Sequence, residues 1–349
     1  MAHTHLLKRS TLVLAVLLGI VSTLAHGATA PEPQPYGERE EVKAFAHELA
    51  QKESLDEAQV LASLAEARYL PAVIKAILPP ASPTVKSWVR YRARYLDRTR
   101  IAAGTAFWRE HAATLERAEA EFGVPADIIV GIIGVETIYG RNQGNFQTLS
   151  ALATLAFDYP PRAELFRREL GELFLLSRDT SKPVTNYKGS YAGALGLPQF
   201  LPSSIRRYAI DYDGDGKVSL DTSADDAIGS VANFLKQHGW ERGGAVAVPA
   251  RVMDPQRATA LVEAGIAPSF RKQDFERLGV AADTPAAEDK PAALIDLVSP
   301  EAATEYWLGY QNFYVITRYN RSSFYAMAVF HLATAVRLER ERGGLATAA

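Results

Sequence analysis

The sequence predicts a mainly α protein with a small β part. Across residues 38–123 the apolar residues recur at helical spacing among many charges, which is typical of amphipathic helices. Residues 125–140 indicate a further helix that is almost wholly apolar. Across residues 245–296 short alternating runs indicate strands. With 349 residues, the chain has room for one large domain or two to three small ones.

Residues 1–30 are expected to be a signal peptide outside the fold. Lys8 and Arg9 precede an apolar run over 12–24, and small residues follow, as in a secretory signal. Retention of the segment as an uncleaved anchor is the alternative. The sequence contains no cysteine, so neither disulfides nor a lipid on an N-terminal cysteine are expected. We therefore expect an exported, periplasmic protein that is not lipidated.

The charge balance excludes one class of partner. Without the two basic residues of the predicted signal, the chain carries 36 basic and 40 acidic residues, a net charge of −4. Proteins that bind nucleic acid carry basic stripes, so no nucleic-acid partner is expected. A neutral, bulky polymer is an easier substrate to reconcile with this composition than a polyanion.

Periodicity and turn signals place the elements along the chain. The segment 31–122 is expected to be an N-terminal helical domain, and 245–300 a small α/β insertion. Predicted helices cover 39–52, 56–69, 72–78, 84–103, 105–122, 125–140, 148–157, 162–177, 205–209, 227–238 and 324–341. Predicted extended segments cover 246–252, 292–298, 306–310 and 312–317.

Glu136 is the unusual residue of the 125–140 helix. It lies at helical spacing from Ile132 on the apolar face, near the helix C-terminus. Desolvation and the negative end of the helix dipole would both favour the protonated acid. A carboxylic acid kept neutral near pH 7 can donate a proton to a leaving group. The alternative is a structural ion pair with Arg141 or Arg162.

The block 187–204 is dense in glycine and other small residues, with serine and glutamine among them. Glycine lets a backbone approach another backbone or a ligand closely. The alternative is a tight loop that ends in a serine N-cap for the 205–209 helix. We expect both roles to hold.

An acidic loop that begins at Asp211 is the most specific local motif. Aspartates occupy positions 1, 3 and 5, and a glycine occupies position 6, as in an EF-hand. Position 12 is Thr222 instead of the usual glutamate, so Asp225 and Asp226 compete as the last ligand. Such close carboxylates repel one another unless a cation lies between them. We expect one structural Ca²⁺ and no organic cofactor, with a solvated acidic turn as the alternative.

Taken together and in order, these blocks resemble the membrane-bound lytic murein transglycosylase B family. The resemblance covers residues 36–340, nearly the whole chain after the predicted signal. The blocks that carry it are GIIGVET at 131–137, the Gly-rich block with Ser190 and Gln199, the Asp211 loop, DAIGSVAN at 226–233 and TRYN at 317–320.

The resemblance implies a lysozyme-like core at 123–244 flanked by a helical domain and a small β domain, with 301–343 returning to the catalytic groove. It implies cleavage of the β-1,4 bond between N-acetylmuramic acid and N-acetylglucosamine in peptidoglycan glycan strands, leaving 1,6-anhydromuramyl ends. Glu136 matches the single catalytic acid/base. Residues that match groove or saccharide contacts and their supporting partners are Ser190, Gln199, Tyr91, Tyr319, Asn320 and Tyr325. Residues that match the calcium ligands are Asp211, Asp213, Asp215, the Lys217 carbonyl and Asp226.

The chain departs from the family in two ways: it lacks the cysteine that carries the family's lipid, and its calcium loop is about one residue longer. No second carboxylate at a fixed spacing is evident, whereas ordinary glycosidases use two. A lysozyme-type hydrolase and a non-catalytic, calcium-stabilised wall-binding module are the alternatives.

Overall fold

The computed structural model of the chain describes residues 34–79, 85–283 and 290–347. The predicted signal peptide, 1–30, lies outside the described residues. Pro35–Ala349 forms one compact unit, and the domain boundaries expected within it stay predictions. None of the helices in the described ranges combines the length and apolar character needed to cross a bilayer.

Most of the described chain is helical, which confirms the predicted fold class. The α-helices are α1 (Glu40–Glu53), α2 (Glu57–Glu66), α3 (Pro71–Ile77), α4 (Trp88–Ala93), α5 (Arg98–Glu110), α6 (Ala112–Phe122), α7 (Ala126–Thr137), α8 (Thr148–Phe157), α9 (Ala163–Thr180), α10 (Pro202–Tyr208), α11 (Ala224–Gln237), α12 (Pro255–Glu263), α13 (Lys272–Arg277), α14 (Gln311–Tyr319) and α15 (Ser323–Thr347). The strands are β1 (Phe146–Gln147), β2 (Lys188–Gly189), β3 (Ala247–Val252), β4 (Val280–Ala282), β5 (Ala293–Ser299) and β6 (Ala302–Gly309).

Helix α7 runs through the middle of the core because nearly all of its side chains are apolar or small. Every residue of α7 except Asp127 and Glu136 is buried. It packs against α15 and α5. A Cβ added at Gly131 would lie 2.8 Å from the Val329 carbonyl oxygen of α15, so glycine permits this close approach. Val329 lies one turn beyond Tyr325, and the approach therefore brings Tyr325 close to α7.

The β part is an antiparallel sheet with the strand order β4-β3-β6-β5. It has a small core of its own, formed with α12 and α13 by Ala258, Leu261, Phe275, Val280, Ala292, Leu294, Leu308 and Tyr310. Strands β1 and β2 form a separate antiparallel pair, in which Phe146 lies opposite Gly189. This pair joins the glycine-rich block to the start of α8.

The structure corrects three of the predicted elements. The helix expected over 105–122 is divided at His111, which lies between the last residue of α5 and the first residue of α6. The helix expected over 84–103 is interrupted between α4 and α5, because the Asp97 side chain accepts the Arg100 N–H at 2.8 Å and starts a new helix. The segment 312–317 is helical instead of extended. Its aromatic and β-branched residues favour a strand, but Phe313, Val315 and Ile316 are fully buried in the helix α14.

Candidate active site

Glu136 lies at the end of α7, where its side chain meets one polar partner. Tyr325 of α15 donates its hydroxyl hydrogen to Glu136 Oε1, with an oxygen–oxygen distance of 2.5 Å. Glu136 is half-buried and Tyr325 is buried. Within the described residues Glu136 forms no ion pair with an arginine, so the alternative that involved Arg141 or Arg162 is wrong.

The surroundings of Glu136 raise the pKa of its carboxyl to about 7. Burial among apolar side chains is the larger cause, since it disfavours the charged form, and the Tyr325 hydrogen bond acts in the opposite direction. No second carboxylate within the described ranges contributes to the shift. Near neutral pH Glu136 is therefore a mixture of acid and carboxylate, which suits a group that gives up a proton and takes one back.

Two further tyrosines, Tyr91 of α4 and Tyr319 of α14, lie close to Glu136. Burial is the main cause that raises the pKa of both hydroxyls. Tyr95 raises the pKa of Tyr91 further, and the nearby Glu136 charge raises the pKa of both. The Tyr319 and Tyr325 rings stack with their centroids 6.3 Å apart and an angle of 15° between their planes. The Tyr91 ring packs edge-on against Phe324, with 5.6 Å between the centroids. The structure thus brings three of the predicted site residues to the acid.

Thr137, which follows Glu136, ties the end of α7 to the glycine-rich block. Its hydroxyl donates to the Leu197 carbonyl at 2.8 Å and accepts the Gly140 N–H at 3.0 Å. The Tyr319 hydroxyl donates to the next carbonyl, that of Pro198, at 2.5 Å. The block therefore lies beside the acid. Thr137 was not among the predicted site residues, although a hydroxyl directly after a candidate acid on a buried helix is a usable signal.

Gln199 is held by the same block. Its backbone has a φ of +51°, in the left-handed region that non-glycine residues rarely adopt. Its side-chain NH₂ group donates to the Gly196 carbonyl at 2.9 Å and to the Gln143 carbonyl at 3.1 Å. With both N–H groups engaged, the side-chain carbonyl oxygen is the part of Gln199 able to accept a hydrogen bond from a ligand.

Ser190 and Asn320 are related to Glu136 less directly. Ser190 Oγ accepts the Ala194 N–H at 3.0 Å, so its own hydrogen can be donated elsewhere. Asn320 follows Tyr319 at the end of α14 and is exposed. Among the residues described, no hydrogen bond joins either side chain to Glu136.

The backbone directly after the acid is strained. Ile138 and Tyr139 have φ values of +53° and +57°, an arrangement that is uncommon for a β-branched residue such as isoleucine. A Cβ added at Gly104 would lie 2.3 Å from the Tyr139 hydroxyl oxygen, and one added at Gly134 would lie 2.4 Å from it. The two glycines therefore leave room for the Tyr139 ring. Such left-handed backbone conformations cost roughly 1–3 kcal/mol each. Ile138 adopts its conformation as the left-handed residue that ends α7.

Two other carboxyls also have a pKa raised chiefly by burial, but each has a structural role. Glu169 of α9 accepts the Ser203 N–H at 3.1 Å and the Ser203 hydroxyl at 2.7 Å, and so satisfies the start of α10. Asp127 lies 3.3 Å from the Arg337 guanidinium. The serine N-cap predicted for α10 is wrong, because the helix begins after Leu201 and the Glu169 side chain accepts the N–H of its first turn. Of the carboxyls with a raised pKa, Glu136 is the one that lies beside the tyrosines.

The acidic loop gathers three carboxylates. Oxygens of Asp211, Asp213 and Asp226 all lie within 4.8 Å of one another. The two Asp211 oxygens accept the N–H groups of Gly214 and Gly216, both at 2.8 Å. Gly216 has a φ of +87°, which permits the sharp turn at the sixth position of such a loop.

Asp226 is fully buried, although it forms no salt bridge with any described residue. Its Oδ1 accepts the Tyr212 N–H at 2.7 Å, and its Oδ2 accepts the Ser219 N–H at 2.8 Å. A buried charge is costly unless it is paired or binds a metal. The three-carboxylate group therefore fits a hard cation that prefers oxygen ligands, such as Ca²⁺.

The other candidate ligands lie outside the three-carboxylate group. Asp225 turns away from the loop, since its Oδ1 accepts the Thr114 hydroxyl at 2.8 Å, so Asp226 is the one of the pair that faces the group. Asp215 does not belong to the three-carboxylate group, and its Oδ1 accepts the Lys217 N–H at 2.8 Å. Both Asp215 and Lys217 are exposed.

A mainly α, lysozyme-like fold with one half-buried acid among tyrosines defines a class of enzymes that cleave glycans. Residues 37–334 match the family model described as "Transglycosylase SLT domain". The chain belongs to this family, and it is a lytic transglycosylase.

Relatives extend over nearly the same length. Membrane-bound lytic murein transglycosylase B of Escherichia coli K12 is 40% identical over 305 residues, 85% of this chain and 82% of the relative. The structure of catenated SltB1 from Pseudomonas aeruginosa is similar with a TM-score of 0.82 and 42% identity, over 87% of this chain and 99% of that one. Escherichia coli Slt35, solved in complex with calcium, has a TM-score of 0.76 and 38% identity, over 88% and 94% of the two chains.

Proposed function

We propose that this chain cleaves the β-1,4 bond between N-acetylmuramic acid and N-acetylglucosamine in peptidoglycan and leaves 1,6-anhydromuramyl ends. The observation that carries the proposal is the Glu136 carboxyl, which Tyr325 bonds at the end of α7 and whose pKa is raised to about 7 with no contribution from another carboxylate of the described residues. Most glycosidases that use water employ an acid together with a separate base or nucleophile. A single group that titrates near neutral pH is suited to both halves of an intramolecular reaction.

The chemistry follows from that one group. Protonated Glu136 gives its hydrogen to the glycosidic oxygen, and the bond from that oxygen to C1 of the muramyl residue breaks. The 2-acetamido oxygen of the substrate stabilises the positive charge at C1, an assistance known from other glycosidases with one carboxylate. The Glu136 carboxylate then takes the proton of the muramyl C6 hydroxyl, whose oxygen forms the new bond to C1. Because both atoms belong to one sugar, the effective molarity reaches ~10⁵–10⁸ M.

The surrounding side chains are proposed to hold the glycan. Tyr325 orients the Glu136 carboxyl through its hydrogen bond. The aromatic rings near the acid offer apolar faces and hydroxyl groups to a sugar. Polar groups able to contact the saccharide are supplied by Ser190, Gln199, Asn320, Tyr91 and Tyr319.

A structural Ca²⁺ is proposed for the acidic loop. Asp211, Asp213 and Asp226 would hold it, with the exposed Asp215 and the Lys217 carbonyl completing the set after a small movement. The cation would neutralise the buried Asp226 and fix the loop against α11. The structure of the related Slt35 was solved in complex with calcium, which supports the assignment.

We also propose that residues 1–30 direct export to the periplasm, where peptidoglycan lies, and are then removed. The pattern of basic, apolar and small residues supports this. The N-terminal sequence of the protein purified from a periplasmic extract tests it, and an intact Met1 in the membrane fraction would contradict it.

Digestion of purified sacculi by Glu136→Gln tests the assignment of the acid. We expect turnover to fall by ~10²–10⁴-fold, the usual effect of losing an acid–base group. Glu169→Gln is the matched control, because it replaces another glutamate whose pKa is raised, one that is buried between α9 and α10 and bonds to Ser203. If Glu136→Gln retained more than about a tenth of the turnover, well outside the expected loss, Glu136 would not be the acid.

A further inference from the structure

Arg100 is a buried cation between two elements of the candidate active site. It belongs to α5 and only 8% of its surface is exposed. Its Nε donates to the Gly134 carbonyl at 3.1 Å, in the last turn of α7 and two residues before Glu136. Its Nη1 donates to the backbone carbonyl of Arg94, which follows α4. One guanidinium thus bonds both to the backbone of α7 and to the backbone that follows α4.

The Arg94 side of this contact leads to Tyr91. Tyr91 lies one turn before Tyr95, and the two rings have their centroids 5.2 Å apart. The Arg100 guanidinium carbon lies 5.3 Å from the centroid of the Tyr95 ring. Arg100 therefore contacts both the backbone and an aromatic side chain of the segment that carries Tyr91.

The charge of Arg100 is balanced locally. Asp97 Oδ2 lies 3.0 Å from Arg100 Nη1, and Asp97 Oδ1 accepts the Arg100 backbone N–H. A buried ion pair is weak evidence for stability, since desolvation cancels much of its attraction. A planar guanidinium can, however, bond in several fixed directions at once, which an ammonium group cannot do.

We propose that Arg100 is a positioning residue for the transglycosylase reaction, which holds the Tyr91 segment in register with the α7 turn that carries Glu136. This inference rests on the proposed function of Glu136. Arg100 touches neither the acid nor a substrate, and it acts through the Gly134 and Arg94 carbonyls. A displacement of about 1 Å between reacting groups can lower a rate by ~10²-fold. A shift of the Tyr91 segment relative to Glu136 should therefore lower mainly kcat.

Arg100→Lys tests the proposal, with Arg39→Lys as the matched control. Arg39 is also 8% exposed and also pairs with an aspartate, Asp158 at 2.8 Å, and neither member of that pair is one of the site residues. Lysine retains the charge and can reach one carbonyl. We expect kcat on peptidoglycan to fall by ~10–100-fold in Arg100→Lys, with a smaller change in KM. Arg39→Lys should lower the melting temperature comparably and leave kcat within about twofold of the unmodified protein.

The pH profile gives a second readout. Arg100 is not among the groups that shift the pKa of Glu136, so the basic limb of kcat/KM should keep its midpoint in Arg100→Lys. A displaced midpoint would show that Arg100 acts on the titration of the acid and would overturn the positioning role. A kcat within about twofold of the unmodified protein, or an equal loss of kcat in Arg39→Lys, would overturn it as well.

Arg100→Gln guards against a folding failure, because it removes the buried charge and keeps a donor for one carbonyl. It should show the same loss of kcat. If both Arg100 variants failed to fold, Arg100 would be a requirement of the fold and the proposal would be overturned. Glu136→Gln in the same assay separates the two proposals, because full activity there refutes the proposed function itself.

Discussion

Replacement of Tyr325 by phenylalanine should move the basic limb of the pH–rate profile to higher pH. The Tyr325 hydroxyl donates to Glu136 Oε1 at 2.5 Å and lowers the pKa of a carboxyl that burial has raised to about 7. A hydrogen bond to a charged group contributes ~1.5–3 kcal/mol. At 1.36 kcal/mol per pKa unit, this corresponds to ~1–2 units. The protonated carboxyl also bonds to the hydroxyl, so we expect the lower figure, ~1 unit.

The sign follows from the proposed role of Glu136 as the acid. Phenylalanine stabilises the carboxylate less, so Glu136 stays protonated to higher pH and the first step remains available there. The assay is kcat/KM on sacculi from pH 5 to 9, because this ratio reports the pKa values of the free enzyme. The midpoint of the basic limb should lie near 7 in the unmodified protein and ~1 unit higher in Tyr325→Phe.

Tyr187→Phe is the matched control for this experiment. Tyr187 is also buried, and its hydroxyl lies 2.7 Å from Thr180 Oγ1, but it makes no contact with Glu136. Its profile should coincide with that of the unmodified protein. An unmoved limb in Tyr325→Phe, or one moved to lower pH, would refute the reasoning that links this hydrogen bond to the acid.

Three further predictions concern stability. The folded-state pKa of Glu136 lies near 7, above its ordinary 4.5, so the stability that this carboxyl contributes is present below pH 4.5 and is lost as the pH rises through 7. Glu136→Gln should therefore be more stable than the unmodified protein at pH 8, by up to ~3 kcal/mol. Calorimetry that shows no gain at pH 8 would contradict this. Calcium should raise the melting temperature, and Asp226→Asn should abolish the rise whereas Asp225→Asn retains it; the reverse order would identify Asp225 as the ligand. Gly131→Ala should lower the melting temperature, because the new Cβ would lie 2.8 Å from the Val329 carbonyl oxygen. Overpacking costs ~1–3 kcal/mol, more than the ~1 kcal/mol that alanine adds in helix propensity. An unchanged or raised melting temperature would show that α15 can move away from α7 at little cost.

The direction of the Glu136 shift could be predicted from the sequence alone. An isolated carboxylate at helical spacing from Ile132 on an apolar helix must lose hydration when that helix is buried, and the pKa rises for that reason. Its partner could not be found in this way. Tyr325 is 189 residues away, and no local pattern encodes a contact between α7 and α15. The family resemblance supplied Tyr325, and the structure supplied its hydrogen bond.

The errors have identifiable physical causes. The break before α5 was signalled by Asp97, a favourable N-cap residue, but a continuous helical periodicity across 84–103 outweighed it. Around Phe313 and Ile316 the choice between strand and helix depended on burial against other elements, which overrides the β propensity of the residues. The choice between Asp225 and Asp226 is not an error, since the sequence left it open: it depends on side-chain direction at the start of α11, which sequence spacing does not contain.

Digestion of sacculi in ¹⁸O-labelled water is the most direct test of the proposed reaction. Attack by the muramyl C6 hydroxyl predicts anhydromuramyl ends that carry no label, with a mass about 18 Da below that of the hydrolysed product. Mass spectrometry of the released muropeptides distinguishes the two. Labelled, reducing muramic acid ends as the main product would show that water attacks C1, and the account of Glu136 as a single acid and base would be contradicted.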